Sequence, residues 1–377
     1  MKVVIATIAE DVHARAVRRG LERLGHEVVL LYTSAYPAHL RQTITLGPDG
    51  DSSWHMRLEP GEETAEEAQR DDDEARALKE YAHEAGAAEL GDADVVWARR
   101  IRMPQPPAVV DQRDRAFVAR ELRFFHNALW HAAAPGAFWV NPFAAARRAD
   151  SKILQLQVAR AAGLTIPETI VTNDPAQIRA FLRRNRDAGV VYKPFAVNSW
   201  EEDGGMLATL ASPVSEEDLP DDELLRATPN ILQRRVPKAY EVRLTIMGAQ
   251  AFAIRIDSQR HPDGSVDWRN IFPEELPLAR VTLPPAVVEA CRRVMRMLGI
   301  VFGCFDLIVT PEGDTVFLEV NEMGQWLWIE FRLPEVPLLD AFCRFLLSRD
   351  PEFVYRPEGS LIPLADIAAG RKAVVEV

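Results

Sequence analysis

Cysteine is scarce in this chain. Its 377 residues hold three, Cys291, Cys304 and Cys343, widely spaced and with no CxxC pair. That spacing excludes a disulfide framework and a thiolate zinc site, and fits a reducing, cytoplasmic setting. Positive charge is also short: 44 Lys and Arg against 56 Asp and Glu leave a formal net charge of −12. An acidic surface of this kind argues against nonspecific nucleic-acid binding. No apolar run is long enough to cross a bilayer; the longest uncharged stretch, AAAPGAFWVNPFAAA, contains two prolines and an asparagine. The opening MKVVIATIAEDVH turns acidic at Glu10, unlike a signal peptide. GxGxxG, the phosphate-binding P-loop, HExxH and internal repeats are all absent. The eight histidines have no ligand spacing and read as structural or surface residues.

What is present is a soluble globular composition, 47% hydrophobic and 27% charged, long enough for two or three domains. KVVIATI, helical spacing over 11–24, Gly25 and EVVLLYT form a β-α-β opening of an α/β domain. Residues 59–85 are acidic and helix-prone, VVWARRI is a strand, and 111–132 reads as a helix. A boundary falls near 135–150. Residues 150–162 read as an amphipathic helix capped by Asp150 or Ser151 and ended by Gly163. IPETIVT is a strand and NDPAQIRAFLRRN a helix entered through an Asn-Asp-Pro cap. GVVYKPF and MLATL are strands joined by AVNSWEEDGG. NILQRRVPKAYEVRLTIMGAQAFAIRIDS alternates as strands with a turn near Met247-Gly248. A helix over 284–298 stops at Gly299, and another runs from about 334 to 348. The tail 351–377 shows no readable role.

FLEVNEMGQWLWIE, residues 317–330, reads as a buried strand that carries Glu319 and Asn321. An ionised carboxylate without a partner is costly to bury. CFDLIVTPEGDTVFLEVN predicts a hairpin with the four-residue loop Pro311–Asp314. Thr310 then faces Thr315 and Val309 faces Val316, so Asp306 falls opposite Glu319, with Asn321 on the same face. Two carboxylates this close repel unless one takes a proton. A hard divalent cation such as magnesium removes the conflict, since it prefers oxygen ligands from one or two carboxylates plus phosphate. The bland alternative is a solvent-facing hairpin with ordinary polar residues. WLWIE, just beyond, argues that this edge is packed. The cluster Trp326, Trp328 and Phe331 reads as core that also shapes a cleft. Lys193, inside the apolar run VVYKPF, is a candidate phosphate ligand or an edge lysine reaching water. The Gly204-Gly205 pair after it is a backbone anion cradle or an ordinary hairpin loop.

In order along the chain, Lys152, Lys193 before its glycine loop, ILQRRV, EVR, Asp306, Glu319 and Asn321 resemble the ATP-grasp ligases, and the last three match that family's D…ExN metal pattern. A narrower resemblance is to the graspetide synthetases, the microviridin-type peptide macrocyclases. It runs from VVWARRI onward and is strongest over 141–330. NPFAAARRADSKILQLQVARAAGLTIPETIVTNDP, QRRVPKAYEVRLTIMG, IDSQ, DWR at 267–269 and LEVNEMGQWLWIE carry it. Glu322-Met323 departs from the pattern, where Pro or another small residue is more usual.

The resemblance implies an α/β (α+β) ATP-grasp fold. An N-terminal α/β domain would span 1–140, a central ATP-grasp subdomain 141–228, a C-terminal subdomain with the metal site 229–350, and a tail 351–377. It implies ATP and Mg²⁺ as cofactors. Lys152 and Lys193 would lie on the phosphates. Gln233 and the backbone of Arg234 and Val236 would form the adenine hinge, and Glu241 the ribose or phosphate side. Asp306, Glu319 and Asn321 would hold the metal. Arg243, Arg255 and Arg269 would fork onto an acceptor carboxylate. Lys238 and Tyr240 would line the peptide side, and Asp267 would take the nucleophile's proton unless it is spent in a loop salt bridge with Arg269. The implied partner is a precursor peptide with a leader segment, with no nucleic acid and no membrane; a homodimer is the family's habit. The implied reaction is ATP-dependent closure of side-chain ester or amide rings. Its alternatives are an ATP-grasp ligase that adds an amino acid to a protein or small molecule, and a nucleotide-binding regulator that has lost catalysis.

Overall fold

The computed structural model describes residues 1–37, 40–48, 52–58, 88, 89, 91–196, 199–202, 205–208, 210–261, 264, 266–271, 275–357, 359 and 361–368. The acidic segment 59–85, Gly204 and the end of the tail lie outside them.

The opening β-α-β is present as β1 (Lys2–Thr7), α1 (Val12–Arg23) and β2 (Glu27–Tyr32). Asp11 caps α1, accepting from the His13 and Ala14 N–H groups. β3 (Leu40–Leu46), β4 (Ser52–Leu58) and β5 (Ala88–Glu89) form a separate antiparallel sheet. β6 (Val95–Ala98), α2 (Arg115–Ala132) and β7 (Phe138–Val140) follow. The first sheet is parallel in the order β2-β1-β6-β7. Its order reverses between β1 and β6, so their carboxyl ends border a crevice. Arg99 and Arg100 lie just past the end of β6 rather than within the strand.

Within the boundary region near 135–150 lies a helix, α3 (Phe143–Ala149). Asp150 ends it, and Ser151 caps the next, α4 (Lys152–Ala161). β8 (Thr169–Thr172), α5 (Pro175–Arg184), β9 (Val190–Lys193), β10 (Ser199–Glu202), β11 (Gly205–Ala208), β12 (Ser212–Val214), α6 (Asp222–Ala227) and β13 (Asn230–Arg234) follow. The antiparallel sheet β12-β9-β13-β8 rests on α5 through Ile178, Phe181 and Leu182.

The third sheet, β16-β15-β14-β17-β18, is antiparallel. Its strands are β14 (Tyr240–Met247), β15 (Gln250–Ile256), β16 (Leu278–Arg280), β17 (Phe302–Val309) and β18 (Thr315–Asn321); α7 (Pro285–Leu298) precedes β17. Gly299 ends α7 in the left-handed region, as its position in the sequence predicts. Val242, Leu244, Phe305, Leu307 and Phe317 make one face of the sheet apolar, packed on α4 and α7.

The β17–β18 hairpin corrects the sequence count. Val309 pairs with Thr315, so the loop has five residues rather than four. The Thr310 N–H closes it on the Asp314 carbonyl at 2.9 Å. A register shift then skips Leu318, and Asp306 comes to lie opposite Glu319 as expected. The extra residue restores the parity that the longer loop had removed. The strand ends at Asn321, and WLWIE belongs to a helix, α8 (Leu327–Arg332), not to a continuing strand.

α9 (Leu338–Ser348) and α10 (Leu364–Ala368), the last helices among the described residues, pack back against α1. A Cβ on Gly20 would lie 2.7 Å from Cys343 Sγ, so only glycine permits the approach of α9. The tail docks through Ile362 and Ile367, and Glu330 accepts the Leu339 and Leu364 N–H groups at 2.6 and 3.1 Å. No described helix is long and apolar enough to cross a membrane, and all three cysteines are buried thiols.

Candidate active site

The third sheet's second face carries charge. Because β14 and β17 pair Arg243 with Asp306, and β17 and β18 pair Asp306 with Glu319, the three side chains form one row across three strands. Arg243 Nη1 donates to Asp306 Oδ2 at 2.7 Å, and Asn321 Nδ2 lies 3.4 Å from the same oxygen. Burial and the neighbouring Glu319 push the Asp306 carboxyl above its ordinary value against the pull of Arg243. Burial also disfavours the Glu319 charge, but Lys193, Arg269, Lys152 and Arg243 outweigh it and hold that carboxyl low. Two carboxylates and an amide on one sheet face, ringed by cations, suit a hard divalent cation that also takes phosphate oxygens. Among the described residues, no group of three or more His, Cys, Asp or Glu offers an alternative metal site.

β18 is an edge strand, and its outer backbone is not left open. The Phe317 N–H donates to the Thr165 carbonyl at 2.8 Å. Gln155 pairs with Val320 in both directions at 2.9 Å, Nε2 to the carbonyl and Oε1 from the N–H. Gln155 thus pins α4 to the residue between Glu319 and Asn321. Lys152, one turn earlier, donates to the Pro194 carbonyl at 2.6 Å, and burial lowers its pKa. Lys193, at the end of β9, adds its charge from the second sheet. In β13, Gln233 Nε2 donates to Thr169 Oγ1 at 3.0 Å, which ties β13 to β8. The Arg234 N–H is given to the Glu168 carbonyl at 2.9 Å, while the Val236 N–H has no backbone partner among the described residues.

After β15, Arg269 adds its charge to the row. Asp267 takes Arg269 through both carboxylate oxygens, with contacts of 2.6 to 3.1 Å. Burial raises the Asp267 carboxyl, but the Arg269 bonds outweigh it and the net shift is downward. A carboxylate held this way is a weak base, so the loop salt bridge is the arrangement found here. Trp268, between them, packs tilted against Trp328 with ring centroids 5.0 Å apart. Glu241 lies on the same sheet face, but its Oε1 is engaged by Lys238 Nζ at 2.6 Å and Ser258 Oγ at 2.9 Å. Lys238 also donates to the Val266 carbonyl at 2.8 Å. These bonds anchor the loop.

Two sequence candidates are not brought to the row. β14 and β15 pair Val242 with Arg255, so Arg255 points to the apolar side with Val242. There it binds Asp257 at 2.6 Å and lies 4.1 Å over the Tyr240 ring, which shares that face. Four polar residues that the sequence reading passed over support the site. Gln155 is one. Asn141 makes four bonds of 2.7 to 2.9 Å to the backbone of Val301, Phe302 and Glu322. His13 on α1 and Arg99 just past β6 reach the segment after β18. No local motif marks any of the four, because the partners that tie each to the site are 160 or more residues away.

No family model and no curated protein matches the chain. Solved structures do. The macrocyclase MdnC, bound with precursor peptide MdnA, from Microcystis aeruginosa MRC is 26% identical, with a TM-score of 0.73, over 92% of this chain and 100% of that one. Macrocyclase MdnB from the same organism is 26% identical, with a TM-score of 0.72, over 92% and 99%. A RiPP-associated ATP-grasp ligase from Chryseobacterium gregarium, in complex with ADP and a leader and core peptide, has a TM-score of 0.76 at 23% identity over 94% and 99%. The likeness extends over nearly the full length of each neighbour, so the charged row stands within a complete ATP-grasp architecture. The chain shares its fold with these macrocyclases and with the ATP-grasp ligase.

Proposed function

We propose that this enzyme uses ATP to close side-chain rings in a ribosomally made precursor peptide. The Arg243–Asp306–Glu319 row, with Asn321 beside it and Lys152, Lys193 and Arg269 around it, carries the reading. The cations there outnumber the carboxylates, a balance that suits polyphosphate. Lys152 and Lys193 would bind the ATP phosphates, and the Arg234 carbonyl and Val236 N–H would meet the adenine edge. Asp306, Glu319 and Asn321 would hold Mg²⁺, which when bound offsets charge on the transferring phosphoryl group.

A Glu or Asp carboxylate oxygen of the peptide attacks the γ-phosphorus, the bond to the bridging oxygen breaks, and ADP leaves. Arg243 and Arg269 stand beside the acceptor position and orient the carboxylate. A Ser or Thr hydroxyl, or a Lys amine, then attacks the acyl carbon. Phosphate leaves and carries the oxygen away, the nucleophile's proton passes to solvent or phosphate, and the peptide loses one water per ring. MdnC is bound with precursor peptide MdnA and the Chryseobacterium gregarium ligase with ADP and a leader and core peptide, which supports both the nucleotide and the peptide partner for this chain. Working on a newly made precursor, the enzyme would act in the cytoplasm.

Hydroxylamine trapping tests the intermediate. With ATP, Mg²⁺ and a precursor rich in Thr, Glu and Asp, hydroxamates should form on Glu or Asp side chains. Hydroxamate at a peptide C-terminus or on a free amino acid would instead favour an amino-acid-adding ligase.

A further inference from the structure

The first sheet reaches into the candidate site through one short segment, residues 322–327. Arg99, 1% exposed, donates from Nη1 to the Met323 carbonyl at 3.0 Å. His13 Nε2 accepts both the Trp326 and the Leu327 N–H, at 3.0 and 3.2 Å, and its ring sits edge-on to Trp326. The histidine therefore caps α8, whose own N-cap residue supplies no side-chain bond. Between these two grips, the Gln325 carbonyl accepts Arg243 Nη2 at 3.1 Å, while Arg243 Nη1 holds Asp306. Behind them, Asp11 fixes both His13 and Arg99. It pairs with Arg99 at 3.3 Å, accepts the Thr7 hydroxyl at 2.8 Å and caps the helix that carries His13.

Four bonds thus link His13 and Arg99, near the carboxyl ends of β1 and β6, to the guanidinium at one end of the charged row. The ion pair between Arg243 and Asp306 fixes only one end of the guanidinium. Its other end follows the Gln325 carbonyl, and that carbonyl goes where Met323, Trp326 and Leu327 are held.

We infer that His13 and Arg99 are positioning residues for phosphoryl transfer, setting the orientation of Arg243 through the 323–327 segment. The inference rests on the reading of this site as a phosphoryl-transfer centre. The bonding requires a neutral imidazole with a free Nε2 lone pair, and burial together with Arg99 keeps His13 uncharged at neutral pH. Glutamine can present an acceptor oxygen near the Nε2 position; leucine cannot.

The test compares His13→Leu, His13→Gln and Arg99→Lys in the full chain, with melting curves alongside. His13→Leu should lower kcat by about ten-fold or more while the KM for ATP stays within about two-fold. His13→Gln should recover most of that loss. In an Arg243→Lys background, His13→Leu should cost little more, since the effect passes through Arg243. A loss that adds fully to that of Arg243→Lys, or a wild-type kcat in His13→Leu, overturns the inference. If His13→Leu does not fold, Arg99→Lys carries the same cycle. The Arg243 Nε–H nitrogen resonance, assigned by its absence in Arg243→Lys, should shift in His13→Leu and return in His13→Gln. An unmoved resonance overturns the inference as well. That spectrum needs no turnover, so it separates failure of this inference from failure of the macrocyclase reading.

Discussion

The two faces of the β14–β17–β18 sheet share one backbone and do opposite things. One face is Val242, Leu244, Phe305, Leu307 and Phe317, closed by α4 and α7. The other is Arg243, Asp306, Glu319 and Asn321, with no apolar residue in the row. Stability comes mainly from the first, through apolar area removed from water. The second sets two carboxylates side by side, and burial together with the neighbouring Glu319 raises Asp306, a conflict a cation would relieve. Adjacent residues of one hairpin can therefore be sorted into those that keep the protein folded and those that make it react.

The largest effect expected on turnover is from Glu319→Gln. It keeps shape and removes the charge, so ATP-dependent peptide conversion should fall by about 10²- to 10³-fold with the melting point nearly unchanged. Near wild-type turnover would remove the carboxylate pair from the chemistry. Across the sheet, Phe317→Ala should do the reverse. It should destabilise by about 3–5 kcal/mol, read by denaturant unfolding, while the molecules still folded at low temperature keep their turnover. A loss of turnover without a loss of stability would break the division between faces.

Smaller effects sharpen it. Burial pushes the Glu330 carboxyl up to about 7 from 4.5, against the two backbone N–H groups it accepts. The native state then keeps a proton that the unfolded chain releases near 4.5. The contribution to stability is full below 4.5 and is lost as pH rises through about 7. The melting point should slope downward across that window, and Glu330→Gln should flatten the slope. The smallest change is expected from Arg255→Met. Arg255 is partly exposed on the apolar side, so turnover should hold and stability shift by less than about 1 kcal/mol. A large loss of turnover would place Arg255 in the reaction after all.

Much of this was legible in the sequence, unevenly. The opposition of Asp306 and Glu319 came from counting a hairpin, yet the count was wrong in two places that cancelled, a longer loop and a skipped Leu318. Bulges leave no reliable local mark, so this success owed something to chance. The misplacement of Arg255 was avoidable. The two-residue turn Gly248-Ala249 pairs Met247 with Gln250 and fixes Arg255 opposite Val242, on the far face from Arg243. WLWIE misled because a short buried helix and a buried strand are equally apolar, and periodicity cannot separate them over five residues. His13 and Arg99 were out of reach for another reason. Their contacts span more than 200 residues, and nothing near them in sequence says that a histidine on α1 will cap a helix beyond residue 325.

The most direct test of the central claim is the mass of a precursor peptide before and after incubation with the enzyme, Mg²⁺ and ATP, using a Thr-, Glu- and Asp-rich precursor from the same gene neighbourhood. The account predicts loss of whole waters, one per ring, only when ATP and the leader portion are both present, with one ADP formed per water lost. A gain equal to an added amino acid, or ADP formed with the peptide mass unchanged, would contradict it.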